Sequence, residues 1–280
     1  MDKIVGLGKA GVNIVGEFKK YPQYMGYCID VGLKGLKKEG IFELSARNTP
    51  EEYEEHCPSV KNFLKTAPTD LTMVLSNGGH VSASALAIME QVKNRSIEVI
   101  LINSDERRQG DYKRSLGRSI FGVLQEYARS GLLENICLIS NKSVEGILGD
   151  VPMIGYYDAL NELLVNTIHM TNVFDHSEPV VSDISVIPEN YRISTYGISS
   201  LDKKDQEKLF FPLDNIRQMR YYFGINRKQL EEDKSLNKQI NKFLESSRES
   251  GIDVSYGVYA TNYEQNIVYC KAYTNHIQEY

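Results

Sequence analysis

The sequence predicts an α/β protein: a parallel sheet that carries a ligand at the carboxyl ends of its strands, then a long helix, then a second part with antiparallel strands. Three observations predict it. Short apolar runs at 3–7, 26–29, 71–76, 97–103 and 136–140 alternate with helical stretches at 11–21, 51–65, 82–94 and 112–130. Two of these runs end in glycine turns, Gly6-Leu7-Gly8-Lys9-Ala10-Gly11-Val12-Asn13 and Ser76-Asn77-Gly78-Gly79-His80-Val81-Ser82. Beyond residue 175 the composition shifts, and strands at 254–260 and 267–272 read as an antiparallel hairpin across 261–266.

A strand that ends in glycines and turns into a helix lets bare backbone N–H groups approach an anion, and the helix dipole favours phosphate there. Two such turns, about seventy residues apart, suggest one nucleotide gripped from two sides. In the helix at 82–94, Ala85, Leu86, Met89 and Val92 recur at helical spacing and leave Gln91, Lys93 and Asn94 for solvent. The helix at 51–65 is interrupted near Pro58.

A longer helix is expected over 154–173. Leu160, Leu163, Leu164, Ile168 and Val173 give it apolar positions on more than one side, as a helix between two lobes needs. The segment Asp175-His176-Ser177-Glu178-Pro179 ends it. Residues 202–208 read as a solvated polar run, 218–223 as a strand and 234–248 as a charged helix. The expected organisation is a ligand-binding lobe over 1–153, a central helix over 154–175 and a C-terminal lobe over 176–280.

Composition excludes several classes. Apolar residues make up 41% and charged residues 25% of the 280, as in ordinary globular chains. A net charge of −5 gives no electrostatic footprint for nucleic acid. Cys28, Cys57, Cys137 and Cys270 form no CxxC pair and read as reduced thiols. Met1-Asp2-Lys3-Ile4 enters a strand at once, without the order of a signal peptide, and no apolar run reaches the length of a membrane span. A cytoplasmic location is the expectation. His56, His169, His176 and His276 show no metal-ligand spacing, so no metal site built from them is expected.

Gly6-x-Gly8-x-x-Gly11 is also the dinucleotide pattern of NAD enzymes, and Asp30 ends the next strand where such enzymes place a ribose-binding acid. The chain lacks an obvious catalytic His or Tyr/Lys pair for a dehydrogenase and carries the second glycine turn.

The order of elements resembles the tubulin/FtsZ superfamily of GTPases, in particular its divergent plasmid and phage members of the TubZ kind, from Ile4 to Ile277. Gly6 to Asn13 resembles the first phosphate loop, Tyr27-Cys28-Ile29-Asp30 the next strand, and Leu138-Ile139-Ser140-Asn141 the strand whose trailing Asn contacts guanine. Tyr157 and Asn161, four apart and so on one helix face, match the ring that stacks on guanine and the amide that reads its edge. Glu178-Pro179-Val180-Val181-Ser182-Asp183-Ile184 falls where the family has the loop that completes the active site of the next subunit.

The resemblance implies a tubulin/FtsZ-like fold, GTP or GDP with Mg²⁺ as cofactor, and head-to-tail self-association into filaments with hydrolysis completed by the neighbour. It would place Gly8, Lys9, Ala10, Gly11, Gly78, Gly79, His80, Val81 and Ser82 at the phosphates. Asn13, Asp30, Arg114, Asn141, Tyr157 and Asn161 would serve the nucleoside, and Asp183 would act catalytically in trans. Arg114 comes from the basic cluster 107–114 after the fourth strand. The alternative is a tubulin-like structural or interaction protein without GTP hydrolysis or nucleotide binding. Two departures favour it: His80 and Val81 replace glycine and small residues of the second loop, and Val180 stands where a second Asp is common. No acidic helical tail or partner-binding peptide is expected after the last strand, so recruitment would use another surface.

Overall fold

A computed structural model describes residues 2–33, 39–65, 70–105, 109–201 and 203–280, without the side chains of 203–206 and 246. The chain begins with β1 (Asp2–Leu7), α1 (Gly8–Phe18), β2 (Tyr24–Asp30), β3 (Ile41–Glu43) and α2 (Pro50–Glu55). There follow β4 (Asp70–Ser76), a 3-10 turn (His80–Ser84), α3 (Ala85–Gln91), β5 (Ser96–Asn103), α4 (Asp111–Arg129), β6 (Asn135–Ser140), α5 (Asn141–Leu148) and α6 (Tyr156–Asp175). The remainder is β7 (Val181–Asp183), β8 (Ile193–Ser200), β9 (Lys203–Leu209), β10 (Gln218–Asn226), α7 (Arg227–Glu232), α8 (Leu236–Glu249), β11 (Asp253–Thr261) and β12 (Ile267–Thr274).

One 12-stranded sheet holds them in the order β3-β2-β1-β4-β5-β6-β8-β12-β10-β11-β7, with β9 on β8. From β3 to β8 every neighbour is parallel. Beyond β8 the sheet is mixed: β12 runs antiparallel to β8 and β10, and β10 runs parallel to β11. The two halves meet where Ile136 and Cys137 of β6 pair with Ile193 and Ser194 of β8. Lys271 of β12 reaches across to Glu98 of β5 at 3.2 Å, with its ammonium over the Tyr196 ring at 4.8 Å.

The parallel strands read as continuous apolar runs because both faces are covered. Val5 and Leu7 of β1 belong to a core with residues of α3 and α4, whereas Ile4 belongs to a second core with α1 and α6. Part of the chain's tyrosine content fills a third cluster, in which Phe174 at the end of α6 stacks with Tyr222 and Tyr259. Cys28, Cys137 and Cys270 are buried thiols in no disulfide among the described residues, and burial pushes the Cys137 thiol up to about 12.

The expected hairpin is not formed. β11 and β12 are adjacent in sequence, yet β10 lies between them and pairs with both. β10 is buried along almost its whole length and takes the central place, so 262–266 spans it rather than making a tight turn. The polar run at 202–208 also departs from expectation. From Lys203 it forms β9 at the margin of the sheet, paired to β8; Asp202 lies outside the described residues. The helix expected at 82–94 is split into the 3-10 turn and the short α3.

Candidate functional site

β1 and α1 join at Gly8, whose φ of +71° is open to glycine at little cost. Gly6 and Gly11 answer a different need. A Cβ on Gly11 would stand 2.3 Å from the Val74 carbonyl oxygen of β4, and one on Gly6 would stand 2.4 Å from the Gly11 backbone. Their absent side chains let α1 lie directly on β1 and β4. At the second turn, Asn77 is fully buried. Its amide donates to Asn103 Oδ1 at 3.1 Å and its Oδ1 accepts from the Ser104 N–H at 3.3 Å, tying the ends of β4 and β5 together. Gly78 and Gly79 then pass over this brace, and Ser84 Oγ donates back to the Val81 carbonyl at 2.7 Å.

The strand ends converge on one cavity of 580 Å³. β1 delivers Gly8, Lys9 and Ala10; β2 delivers Asp30; β4 leads to Gly78, Gly79, His80, Val81 and Ser82; β5 leads to Ser104 and Asp105; β6 leads to Asn141. α1 adds Asn13, and the start of α6 adds Tyr156, Tyr157 and Asn161. A crevice outside the carboxyl ends of an open α/β sheet is where such folds bind ligands, and the volume suits a small molecule.

The cavity has distinguishable ends. Tyr157 is 55% exposed, its ring at 84° to that of Tyr156 with centroids 5.0 Å apart, so part of its ring area is open to a partner. Asn141 and Asn161 bring amides that both donate and accept. Around the glycine turns lie the cations Lys9 and Lys113 and the hydroxyl residue Ser82. Asp30 is the counterpoint. Burial pushes its carboxyl above the usual range, while the Val31 N–H at 2.8 Å and the Lys9 charge pull it part of the way back. A carboxyl so placed suits a hydroxyl donor better than a phosphate.

Of the residues singled out in the sequence, Gly8, Lys9, Ala10, Asn13, Asp30, Gly78, Gly79, His80, Val81, Ser82, Asn141, Tyr157 and Asn161 line this cavity. Gly11, Arg114 and Asp183 do not line the cavity. Gly11 is spent on the helix–strand contact. The Arg114 guanidinium donates twice to the Gln109 carbonyl, at 3.1 and 3.0 Å, and lies 3.6 Å from Asp111, while neighbouring Lys113 takes the cavity position. Arg107 and Arg108 lie outside the described residues. Asp183 is exposed on β7, beyond the far end of α6, where Gln218 and Arg220 of β10 hold Ser185 at 2.7 Å each. Val81, one of the two departures in the second loop, is 7% exposed and belongs to the core with its side chain beside Gly8. Tyr53, Ser104, Gln109 and Lys113 line the cavity without having been singled out; Gln109 and Lys113 fall within the basic cluster, while Tyr53 and Ser104 carried no signal.

No family model and no curated protein matches the chain in sequence. Solved structures match it over nearly its whole length. FtsZ from M. jannaschii, as an empty dimer, is 15% identical, covering 97% of this chain and 87% of that one with a TM-score of 0.70. CetZ2 from Haloferax volcanii, a GTPγS-bound protofilament, is 12% identical over 97% and 92%, TM-score 0.70. TubZ from Bacillus thuringiensis serovar israelensis, a GTPγS-form protofilament, is 14% identical over 98% and 88%, TM-score 0.71. The fold is therefore tubulin/FtsZ-like. Among the described residues, no helix is long and apolar enough to cross a membrane.

Proposed function

We propose that this tubulin/FtsZ-like chain binds a guanine nucleotide in the 580 Å³ cavity and associates head to tail with further copies of itself. The observation that carries the reading is convergence. Two glycine turns from β1 and β4 share one cavity with Asn141, Tyr157 and Asn161, residues distant in sequence and suited to a planar, hydrogen-bonding base. Backbone N–H groups at Gly8 and Gly79, with Lys9 and Lys113, would meet the phosphates. Tyr157 would stack on the base, Asn141 and Asn161 would read its edge, and Asp30 would accept from a ribose hydroxyl. Among the described residues, no cluster of His, Cys, Asp or Glu forms a cage for a metal. Mg²⁺ would arrive with the triphosphate, held by phosphate oxygens and water, and would neutralise charge on the transferred group. The protofilaments formed by CetZ2 and TubZ support self-association by analogy.

Exposed apolar residues lie beyond both ends of α6. Met153 and Ile154, 90% and 94% exposed, flank the cavity end, and Val180, Val181, Ile184 and Val186 follow the far end. The helix separates the groups by about 30 Å at 1.5 Å per residue. A patch at each end of one axis suits a heterologous contact, which propagates without closing. In such a contact Asp183 would approach the neighbour's nucleotide and orient the attacking water.

A second reading, a scaffold that assembles without hydrolysis, is favoured by the 3-10 geometry of the second turn and by Val180 in the trans loop. The experiment is a titration of nucleotide-stripped protein with fluorescent GTP and Mg²⁺, with GTP, ATP and NAD as competitors. Displacement by GTP alone is the expected result; displacement by NAD would replace the reading with a dinucleotide site, and no saturable binding would leave the scaffold. Tyr157→Ala should weaken binding about tenfold or more, in the range of a lost base–aromatic stack, with thermal stability unchanged because the ring is exposed. Asp183→Ala should leave affinity intact and abolish the assembly-dependent part of phosphate release. Unchanged release would favour the scaffold.

A further inference from the structure

The segment after β12, residues 275–280, does not hang free. It crosses from the mixed half of the sheet to α4 in the parallel half. Gln278 is 4% exposed and Gln125 of α4 is fully buried. The Gln125 side chain accepts from the Gln278 N–H at 2.7 Å and donates to its carbonyl at 3.2 Å, as a neighbouring strand would. The Gln278 side chain does the same to Asp214 in the mixed half, accepting from its N–H at 2.6 Å and donating to its carbonyl at 3.3 Å. Two buried amides thus lock α4, the segment and the chain before β10 into one polar knot, satisfied by geometry that only the docked segment supplies.

Two residues on, Tyr280 lies against α4. Its ring is 5.3 Å from Phe121, edge to face, with the Arg118 guanidinium 5.7 Å from its centroid. Its hydroxyl reaches Gly117, where a Cβ would stand 2.7 Å from the oxygen. The same position lies 3.5 Å from Cγ of Asn77. Asn77 is the buried brace beneath Gly78 and Gly79. Tyr280, Gly117, Asn77 and the second glycine turn are therefore contiguous, although Tyr280 itself is absent from the cavity wall.

We propose that segment 275–280 is a clasp that sets the shape of the second glycine turn, so that its docking and occupancy of the cavity are linked. Gln278 anchors it and Tyr280 is the positioning residue, acting through Gly117 on Asn77. The turn hangs on the Asn77 brace at the ends of β4 and β5 and leads into a 3-10 turn of five residues and a seven-residue helix, so a shift of Asn77 reaches Gly78 and Gly79 directly. A closed clasp narrows the conformations of that turn before ligand arrives, and by reciprocity a ligand that needs the narrowed turn holds the clasp closed. The linkage to a nucleotide rests on the reading above; the control of the turn does not.

The test is hydrogen exchange on the full chain, wild type and Tyr280→Ala, first without nucleotide. The amides of 77–79 and 104 should exchange at least fivefold faster in the variant, those of β1 and β2 at the wild-type rate, with the melting temperature little changed. Gly117→Ala, which displaces the same ring from the α4 side, should reproduce this. Unchanged exchange at 77–79 and 104 in both variants overturns the proposal whatever binds in the cavity. With fluorescent GTP, the Tyr280→Ala affinity should fall about fivefold or more, and saturating GTP should slow the Gln278 amide in wild type by the same factor. Full affinity in the variant, or a Gln278 amide blind to bound GTP, overturns the linkage. If wild type binds no GTP, the guanine reading fails and the linkage with it, while the exchange at 77–79 still decides whether the clasp controls the turn.

Discussion

The two glycine turns stand side by side at the ends of β1 and β4, and their architecture differs in kind. The first is built by omission. Gly6 and Gly11 remove side chains so that α1 rests on the backbone of β1 and β4, and an 11-residue helix follows at once. The second is built by side chains. Asn77 braces it from below, Ser84 caps it from within, Val81 is buried beside Gly8, and the chain continues as a 3-10 turn. A loop that presents backbone to an anion can thus be held either by intimate packing or by a polar scaffold. The packed form tolerates no added atom. The scaffolded form accepts side chains within the loop but depends on every hydrogen bond below it.

That contrast can be broken in order of severity. Gly11→Ala should be worst, because its Cβ would meet a carbonyl oxygen that cannot move without shifting β4; a loss of about 3 kcal/mol is expected, read as a fall in the urea midpoint. A variant as stable as wild type would mean that α1 can lift from the sheet. Asn77→Ala comes next. It strands the Ser104 N–H and the Asn103 carboxamide and should cost about 1–3 kcal/mol, with faster amide exchange confined to the ends of β4 and β5. A change spread over the whole parallel half would deny that the second turn is a separate scaffold.

Asp30→Asn should be the mildest and speaks to the first turn's electrostatics. Burial raises the Asp30 carboxyl in the folded protein, so the folded state holds this proton more tightly than the unfolded chain does. Stability from this group therefore falls as pH rises from the ordinary aspartate range through the raised folded value. The Asn variant lacks that fall. Its advantage over wild type should grow across that window and then stay level, as measured by urea midpoints from pH 4 to 7. A difference independent of pH would show that Asp30 ionises freely in the cavity.

Periodicity and turn chemistry are local, and what depends on them was legible. The alternation that places β1, β4, β5 and β6, the glycines that end two of them, and the four-residue spacing of Tyr157 and Asn161 all follow from neighbours in sequence. Lys113 and Arg114 show the limit. Both belong to one basic cluster, and helical phase alone separates the one at the cavity from the one bonded to the Gln109 carbonyl. β9 shows another, since a polar run becomes a strand only because β8 offers it a ladder.

From residue order alone came the class of fold, the layered strand–helix alternation and most of the cavity wall, because strand ends in a parallel sheet must gather on one side. Three-dimensional contact decided the rest. Gly11 went to packing rather than to the cavity because Val74 lies across from it. β10, buried along almost its whole length, separated β11 from β12 because an apolar strand covered on both faces gains from a ladder on each edge. Gln125 and Gln278, with nothing local to join them, became one buried knot because two amides taken from water must find partners wherever the fold brings them together.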